Sequence, residues 1–451
     1  MLEPDSLVRP RRGEPRLQDH SRETLAALLA AECARPLATC AKTAQRALDL
    51  AFRAATVERP AAESAHDDAW RSDVWLGRAG IGAWARPLLA RHTARLGATV
   101  IERAPSVDGT VRLLLALHDG ARVESVIIPA AKGRKRARRT LCISSQVGCA
   151  RACSFCETGQ LGLERQLTSG EIVDQYRAAL RMCDALDDGP LDRRRTTGAT
   201  TRSSARATTA EAIGDAADDA AGDAIGEAIG DASGGSNGDV HDGARGLSNI
   251  VFMGMGEPMD NLREVLRAIE LLSEPSAFAV PPSRITVSTV GVADKLEAFF
   301  AGTRAELAIS LNAPDDARRR RIMPVTERFS LAELRAALVR ALPPRRRVFF
   351  QYALFEGFND ALSDAELVAD FVAGLPCRVN VIPANPGPDA ALVTPTQARV
   401  DAFVGRLAAR GVRVLVREAR GRDVGGACGQ LAGSRRDRAV ASDHEERAAC
   451  R

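Results

Sequence analysis

Apolar positions along this chain change their period twice, and each change marks a different kind of structure. From Arg22 to Cys33, and again from Thr43 to Arg53, Leu and Ala recur at helical spacing, which predicts two helices. Trp70, Trp75 and Trp84 follow among charged residues, so residues 1–95 read as a small helical domain. Between Thr99 and Pro129 the pattern shortens to β-rich runs separated by Asp108-Gly109 and Asp119-Gly120, dipeptides that favour tight hairpin turns. That predicts a three-stranded meander, which with the basic run Lys132 to Arg139 makes up residues 96–139.

From Leu141 onward apolar strands alternate with helices. The strands are predicted at Ile143, Ile250 to Met253, Ile285 to Ser288, Leu307 to Leu311, Val348 to Leu354, Val379 to Ile382 and Val412 to Val416. Helix starts carry capping boxes at Thr168 with Glu171, Ser330 with Glu333 and Ser363 with Glu366. Such βα alternation predicts an α/β fold, a partial (β/α)6 barrel over residues 140–433 with functional groups at the C-terminal ends of its strands. Asp187 to Gly246, built from Asp, Gly, Ala, Thr and Arg, lacks the apolar mass for a core and reads as a disordered insertion between the first barrel helix and the second barrel strand. Residues 434–451 read as a flexible tail.

Composition adds bounds. At 451 residues there is room for two or three domains, and with aromatics at only 4% the core must be built largely from Ala, Val and Leu. The net charge of +4 is small, but arginines cluster at Lys132 to Arg139, Arg193 to Arg195, Arg318 to Arg321 and Arg345 to Arg347, runs that suit either a phosphate backbone or a solvated surface. Met1 to Arg12 is charged and Pro-rich, unlike a leader peptide, and no segment reaches membrane-spanning length. A cytoplasmic, membrane-free protein with reduced thiols is the expectation. Cys33, Cys40, Cys183, Cys377 and Cys450 have no recognisable spacing.

Cys149, Cys153 and Cys156 are different: they form a C-x3-C-x2-C run in LCISSQVGCARACSFC. Thiolates this close need a soft metal centre to offset their repulsion. Zinc wants four ligands, usually as two C-x2-C pairs, and neither a second pair nor spaced histidines accompany the run. Gly, Arg and Ser flank the three residues, which argues against unrelated core cysteines. A four-iron cluster held by three thiols keeps one iron open to a chelating amine and carboxylate. The spacing resembles the fingerprint of the radical S-adenosylmethionine (SAM) superfamily.

Further strings sharpen the resemblance. With the cysteine motif, MGMGEP (Met253 to Pro258), TVSTVG (Thr286 to Gly291), LAISLNAP (Leu307 to Pro314), VIPANP (Val381 to Pro386) and ACGQLAG (Ala427 to Gly433) together resemble the RlmN/Cfr family of radical SAM RNA adenosine methyltransferases. Each string alone is weak, but all of them in one order, from about Val107 to Gly433, leave chance little room. The resemblance implies a [4Fe–4S] cluster on Cys149, Cys153 and Cys156, and SAM contacts from Gly256, Glu257, Ser288, Ser310, Leu311, Asn312 and Asn385. It further implies that Cys428, in a glycine-rich loop, carries a methyl group, that Glu124 is a general base, and that Cys142 forms a transient disulfide with Cys428. On pattern alone Glu124 reads as a solvent-facing residue of an alternating strand. The implied partners are rRNA or tRNA and a reductant such as flavodoxin or ferredoxin, acting on a monomer. Methylation at C2 of adenosine is the leading expectation, with C8 or another RNA as the alternative, and a non-catalytic cluster-bearing RNA-binding protein as the reading from another class. Two departures stand out: Asn312 replaces a usual His, and the region before Ser106 lacks the usual family text, which bears on RNA choice.

Overall fold

The computed structural model describes residues 22–53, 84–85, 98–129, 139–187, 246–275, 277–385 and 387–431. Trp70, Trp75, Arg193 to Arg195, most of Lys132 to Arg139, nearly all of the predicted insertion and the predicted tail lie outside them. Helix α1 (Arg22–Cys33) has the predicted bounds, whereas α2 (Leu37–Arg53) begins earlier than Thr43. The carbonyl of Pro36 accepts from the amides of Thr39 and Cys40, which starts that helix directly after the proline. Leu25 and Leu29 pack with Cys40, Ala44 and Ala47.

The meander forms as predicted: β1 (Ala98–Pro105), β2 (Val111–Leu117) and β3 (Arg122–Pro129) pair antiparallel. It is not separate from the barrel. β4 (Arg139–Cys142) pairs antiparallel with β3 and parallel with β7 (Leu247–Phe252), so meander and barrel share one ten-stranded sheet. Beyond β7 the parallel order continues through β8 (Ile285–Thr289), β9 (Glu306–Ser310), β10 (Val348–Leu354), β11 (Cys377–Pro383) and β12 (Val414–Val416). β4 ends just before Ile143, the position predicted for the first barrel strand. The chain then makes a small hairpin, β5 (Gln146–Cys149) with β6 (Gly162–Gln166), around the short helix α3 (Glu157–Gln160).

Helices α4 (Ser169–Asp187), α5 (Leu262–Ser273), α6 (Leu296–Gly302), α7 (Asp316–Ile322), α8 (Leu331–Ala341), α9 (Leu362–Val372) and α10 (Gln397–Ala409) connect the parallel strands. Alternate residues of β10 separate the two layers. Phe350 and Tyr352 meet Phe371 of α9 and Phe403 of α10 on the outside, while Gln351 and Ala353 face the cavity within. The sheet curls: Cys142 of β4 and Arg417 beyond β12 line one small cavity although their strands stand far apart in sheet order. That curl makes the open sheet a partial barrel.

Local signals hold with one exception. Thr168 with Glu171 and Ser330 with Glu333 form reciprocal capping hydrogen bonds. Ser363 and Glu366 do not cap α9, because that helix starts at Leu362, where the Ala361 amide donates to Asp364. Glu366 instead pairs with Arg406 of α10 and with Arg410 at that helix's C-terminal cap. No helix among the described residues is long and apolar enough to cross a membrane.

Candidate active site

The ends of the parallel strands converge on a cavity of about 180 Å³. Cys149, Cys153 and Cys156 line it, with Gly256 and Glu257 after β7, Ser288 of β8, Ser310 of β9, Asn312, Asn385 after β11, and Cys428. Of the predicted residues, Leu311 is not in this wall: it is buried outside it and contributes through its backbone, donating to the Gln351 carbonyl and accepting from Arg319.

The MGMGEP loop sits where it does because its glycines tolerate close backbone approach. Gly256 has φ +101°, and a Cβ there would stand 2.6 Å from the Gln146 side chain. Gln146 Oε1 in turn accepts from the Glu257 amide at 2.7 Å. The Glu257 carboxylate accepts from the amides of Met259 (2.9 Å) and Val290 (2.8 Å), which fixes it at the cavity edge. Burial nevertheless raises its pKa to about 7, outweighing those two bonds. Asn312 holds the left-handed conformation at φ +55°. Its carboxamide accepts from the Ala353 amide at 2.9 Å, so this residue braces the end of β10 as well as lining the cavity.

The three clustered thiols are free of disulfides. Burial pushes the Cys149 thiol up to about 12, with Cys156, Glu257 and Asp260 adding to the rise while the Arg151 amide opposes it. Cys153 and Cys156 are raised as well, by burial first, and Cys153 also by its two neighbours. Among the described residues no group of His, Cys, Asp and Glu is arranged to hold a single metal ion. The thiols instead line one wall of a cavity and press charge on one another. That donor set fits a soft multi-atom iron–sulfur cluster, whose positive metal centres would relieve the repulsion.

Cys428 is exposed in the loop Gly421–Leu431, and that loop is tied down on three sides. Ser106 donates to Asp423 at 2.6 Å and the Gly421 amide donates to Asp108 at 3.0 Å, which anchors the loop to the β1–β2 turn. The Glu157 amide donates to the Gly429 carbonyl at 2.7 Å, joining it to the segment that carries the clustered thiols. Asn385 donates to the Cys428 carbonyl at 3.3 Å and accepts from Arg422 at 2.7 Å, so its carboxamide holds the loop.

A second cavity, of about 30 Å³, adjoins the first. Cys142 lines only this one, whereas Cys428, Met253, Ile382, Asn385 and Arg417 line both. Glu124 lines neither: it is 1% exposed, and its carboxylate accepts from Arg112 at 2.5 Å, which also bonds Glu102. The pattern reading of Glu124 as solvent-facing is therefore overturned. Val126 stands opposite Cys142 in the β3–β4 ladder, and Glu124 shares the face of Val126, so the carboxylate lies on the Cys142 side of the sheet. Sequence reasoning also missed Arg417 and Gln351, because single polar residues in or beside strands carry no spacing signal, and it read Arg319 only as a member of the Arg318 to Arg321 run, whereas that residue is buried.

No family model matches the chain. A probable RNA methyltransferase of Sorangium cellulosum is 50% identical over 425 residues, 94% of this chain and 89% of that protein. A dual-specificity RNA methyltransferase RlmN of an Anaeromyxobacter species is 39% identical over 74% of each chain, and an RlmN of Myxococcus xanthus is 37% identical over 72% of each. Among solved structures, a radical SAM methyltransferase from Sphaerobacter thermophilus superposes with a TM-score of 0.68 at 30% identity, covering 92% of this chain and 99% of that one. The curled parallel sheet, the wall of three thiols at its strand ends and these relatives agree: the chain is an enzyme that belongs to the RlmN-like radical SAM RNA methyltransferases.

Proposed function

We propose that the protein methylates a ring carbon of adenosine, C2 on the resemblance, in rRNA or tRNA, through a methylated Cys428 and a transient Cys142–Cys428 disulfide. The observation that carries this reading is the position of Cys428 at the junction of two cavities, one walled by the three clustered thiols and the other by Cys142. A thioether on that residue would border both cavities.

Cys149, Cys153 and Cys156 would hold a [4Fe–4S] cluster, and Glu257, Ser288, Ser310, Asn312 and Asn385 are the polar groups beside it that would orient SAM. Bound there, the cluster would supply the electron for reductive cleavage of SAM and take one electron back from the base–enzyme adduct, and an external reductant such as flavodoxin or ferredoxin would keep it reduced. The Cys428 thiolate first takes a methyl group from SAM, forming a carbon–sulfur bond while S-adenosylhomocysteine leaves. A 5′-deoxyadenosyl radical from a second SAM would take a hydrogen atom from that methyl group and leave as 5′-deoxyadenosine. The methylene radical would then add to the ring carbon and the adduct would give up one electron, so base and enzyme become covalently linked. Glu124, with Arg112 as counter-ion, is the proposed base that removes the ring proton. The Cys142 thiolate then attacks the Cys428 sulfur: a sulfur–sulfur bond forms, the carbon–sulfur bond breaks, and its electron pair leaves with the carbon, which takes a proton to become the product methyl. External thiols or the reductant must reduce the disulfide before another turnover.

Anaerobic reconstitution with iron, sulfide, SAM and unmodified RNA, followed by nucleoside mass spectrometry, tests the reading. The expected product is 2-methyladenosine. A product at C8 would move the ring position and keep the mechanism; absence of any carbon-methylated adenosine from cluster-loaded enzyme on both rRNA and tRNA would overturn it.

A further inference from the structure

Release of the base requires Cys142 as a thiolate, yet its surroundings oppose one. Cys142 is 6% exposed, and burial pushes its thiol up to about 12, with the neighbouring Cys428 adding to the rise. Ile128 of β3, Val251 of β7, Met253 just after it, Ile382 of β11 and Leu431 supply an apolar lining to the small cavity it faces. The charged groups in that lining are Arg417, Glu418 and Arg420, all from the segment after β12, and Glu124 lies on the same face of the adjoining strand β3.

Arg417 differs from the other two. It lines both cavities, as Cys428 does, whereas Glu418 and Arg420 line only the smaller. Its backbone amide donates to the Val381 carbonyl at 2.9 Å, which fixes the residue to β11. Its guanidinium approaches the Met253 sulfur at 3.7 Å, and among the described residues no carboxylate pairs with it. A half-buried guanidinium set against a thioether, without a counter-anion, is costly unless an anion forms beside it. The group that can become one there is a cysteine thiolate, and the Arg417 charge opposes the rise at Cys142, with a smaller contribution from the Met253 backbone.

We propose that Arg417 is a positioning residue for the release step: its guanidinium is the counter-ion that lets Cys142 attack the Cys428 sulfur as a thiolate while the base is still attached. This inference rests on the reaction proposed above and adds to it the group that activates the resolving thiol. Arg417 would leave methylation of Cys428 and formation of the carbon–carbon bond intact and govern only the lifetime of the enzyme–RNA adduct.

The test compares Arg417→Met, Arg417→Gln and Arg417→Lys with the unaltered enzyme and with Cys142→Ala, each cluster-loaded and given SAM and RNA. The decay of the covalent adduct is followed from pH 6.5 to 9.5 by denaturing gel and intact mass. An opposite charge within about 4–6 Å moves a pKa by roughly one to three units, and one unit is about tenfold in thiolate. The Met and Gln variants should therefore hold the adduct about tenfold longer at pH 7.5, with the midpoint of the release profile moved to higher pH. The Lys variant should restore most of the rate, and Gln against Lys decides the matter if the Met variant does not fold. Release at the unaltered rate in Gln, or lost turnover without accumulated adduct, would overturn the proposal. Should Cys142→Ala itself give no adduct, the reaction scheme fails rather than the role of Arg417.

Discussion

Gly256 concentrates much of what the site demands of single residues. Its φ of +101° and the 2.6 Å approach of Gln146 to where a Cβ would stand leave room for no side chain. Gly256→Ala should cost roughly 1–3 kcal/mol in denaturant unfolding and displace the Glu257 amide from Gln146. A loss below about 0.5 kcal/mol, the ordinary scatter of surface substitutions, would contradict this account of the loop. The motif residues were legible in the sequence because their spacing is dense, whereas the partners that hold them were not. Glu124 reads as exposed from strand alternation, yet the curled sheet buries both faces of β3 at that point. Asn385 is recognisable as a site residue, but its service to the Cys428 loop depends on Arg422, 37 positions away. The Arg318 to Arg321 run, read as a candidate for phosphate, is half internal. Arg319 is fully buried and donates to the carbonyls of Val290, Ser310 and Leu311, while Arg318 pairs with Asp315 and Asp364. Charge runs report composition, and only packing decides which members face water.

The β1–β2 turn does more than reverse the chain. Asp108 of its Asp-Gly pair accepts from the amides of Thr110 and Gly421, and Asp423 of the Cys428 loop accepts from Ser106 and the Val107 amide, so turn and loop clamp each other. Burial works against the Asp108 carboxylate, but these hydrogen bonds prevail and hold its pKa down to about 2, below the ordinary 3.8. The sign follows: with the folded pKa depressed, the clamp contributes fully above pH 3.8 and is lost as pH falls toward about 2. At neutral pH Asp108→Ala should speed amide exchange across Gly421 to Gly429 and lower turnover several-fold, with iron and sulfide content unchanged. Unaltered exchange in that loop would show that the clamp does not hold it. The hairpin itself was legible from Asp108-Gly109, but its second use was not, since Asp423 lies 315 positions further along the chain.

Across the molecule, meander and barrel are one sheet, with β4 as the shared strand, antiparallel to β3 and parallel to β7. The alternation of strands and helices made the barrel legible; the fusion was not, because β4 is four residues long and sequence pattern does not fix which strand pairs with which. The connection from α4 to β7 passes through the predicted insertion. In a β–α–β crossover the helix brings the chain back to the starting edge of the next strand, so a short link suffices. Joining Leu186 to Leu247 through a short Gly/Ser linker should leave cluster content and turnover within about twofold, as expected for a segment too poor in apolar residues to supply core. Soluble protein that loses its cluster or its turnover on that deletion would make the segment structural or substrate-binding. The central claim concerns the junction where Cys428 faces the three clustered thiols on one side and Cys142 on the other. It is tested most directly by isolating Cys142→Ala and Cys428→Ala after reaction with SAM and RNA, digesting with nuclease and weighing the protein. The account predicts a nucleotide adduct on Cys142→Ala and none on Cys428→Ala; an adduct on Cys428→Ala, or free methyladenosine at normal yield from Cys142→Ala, would contradict it.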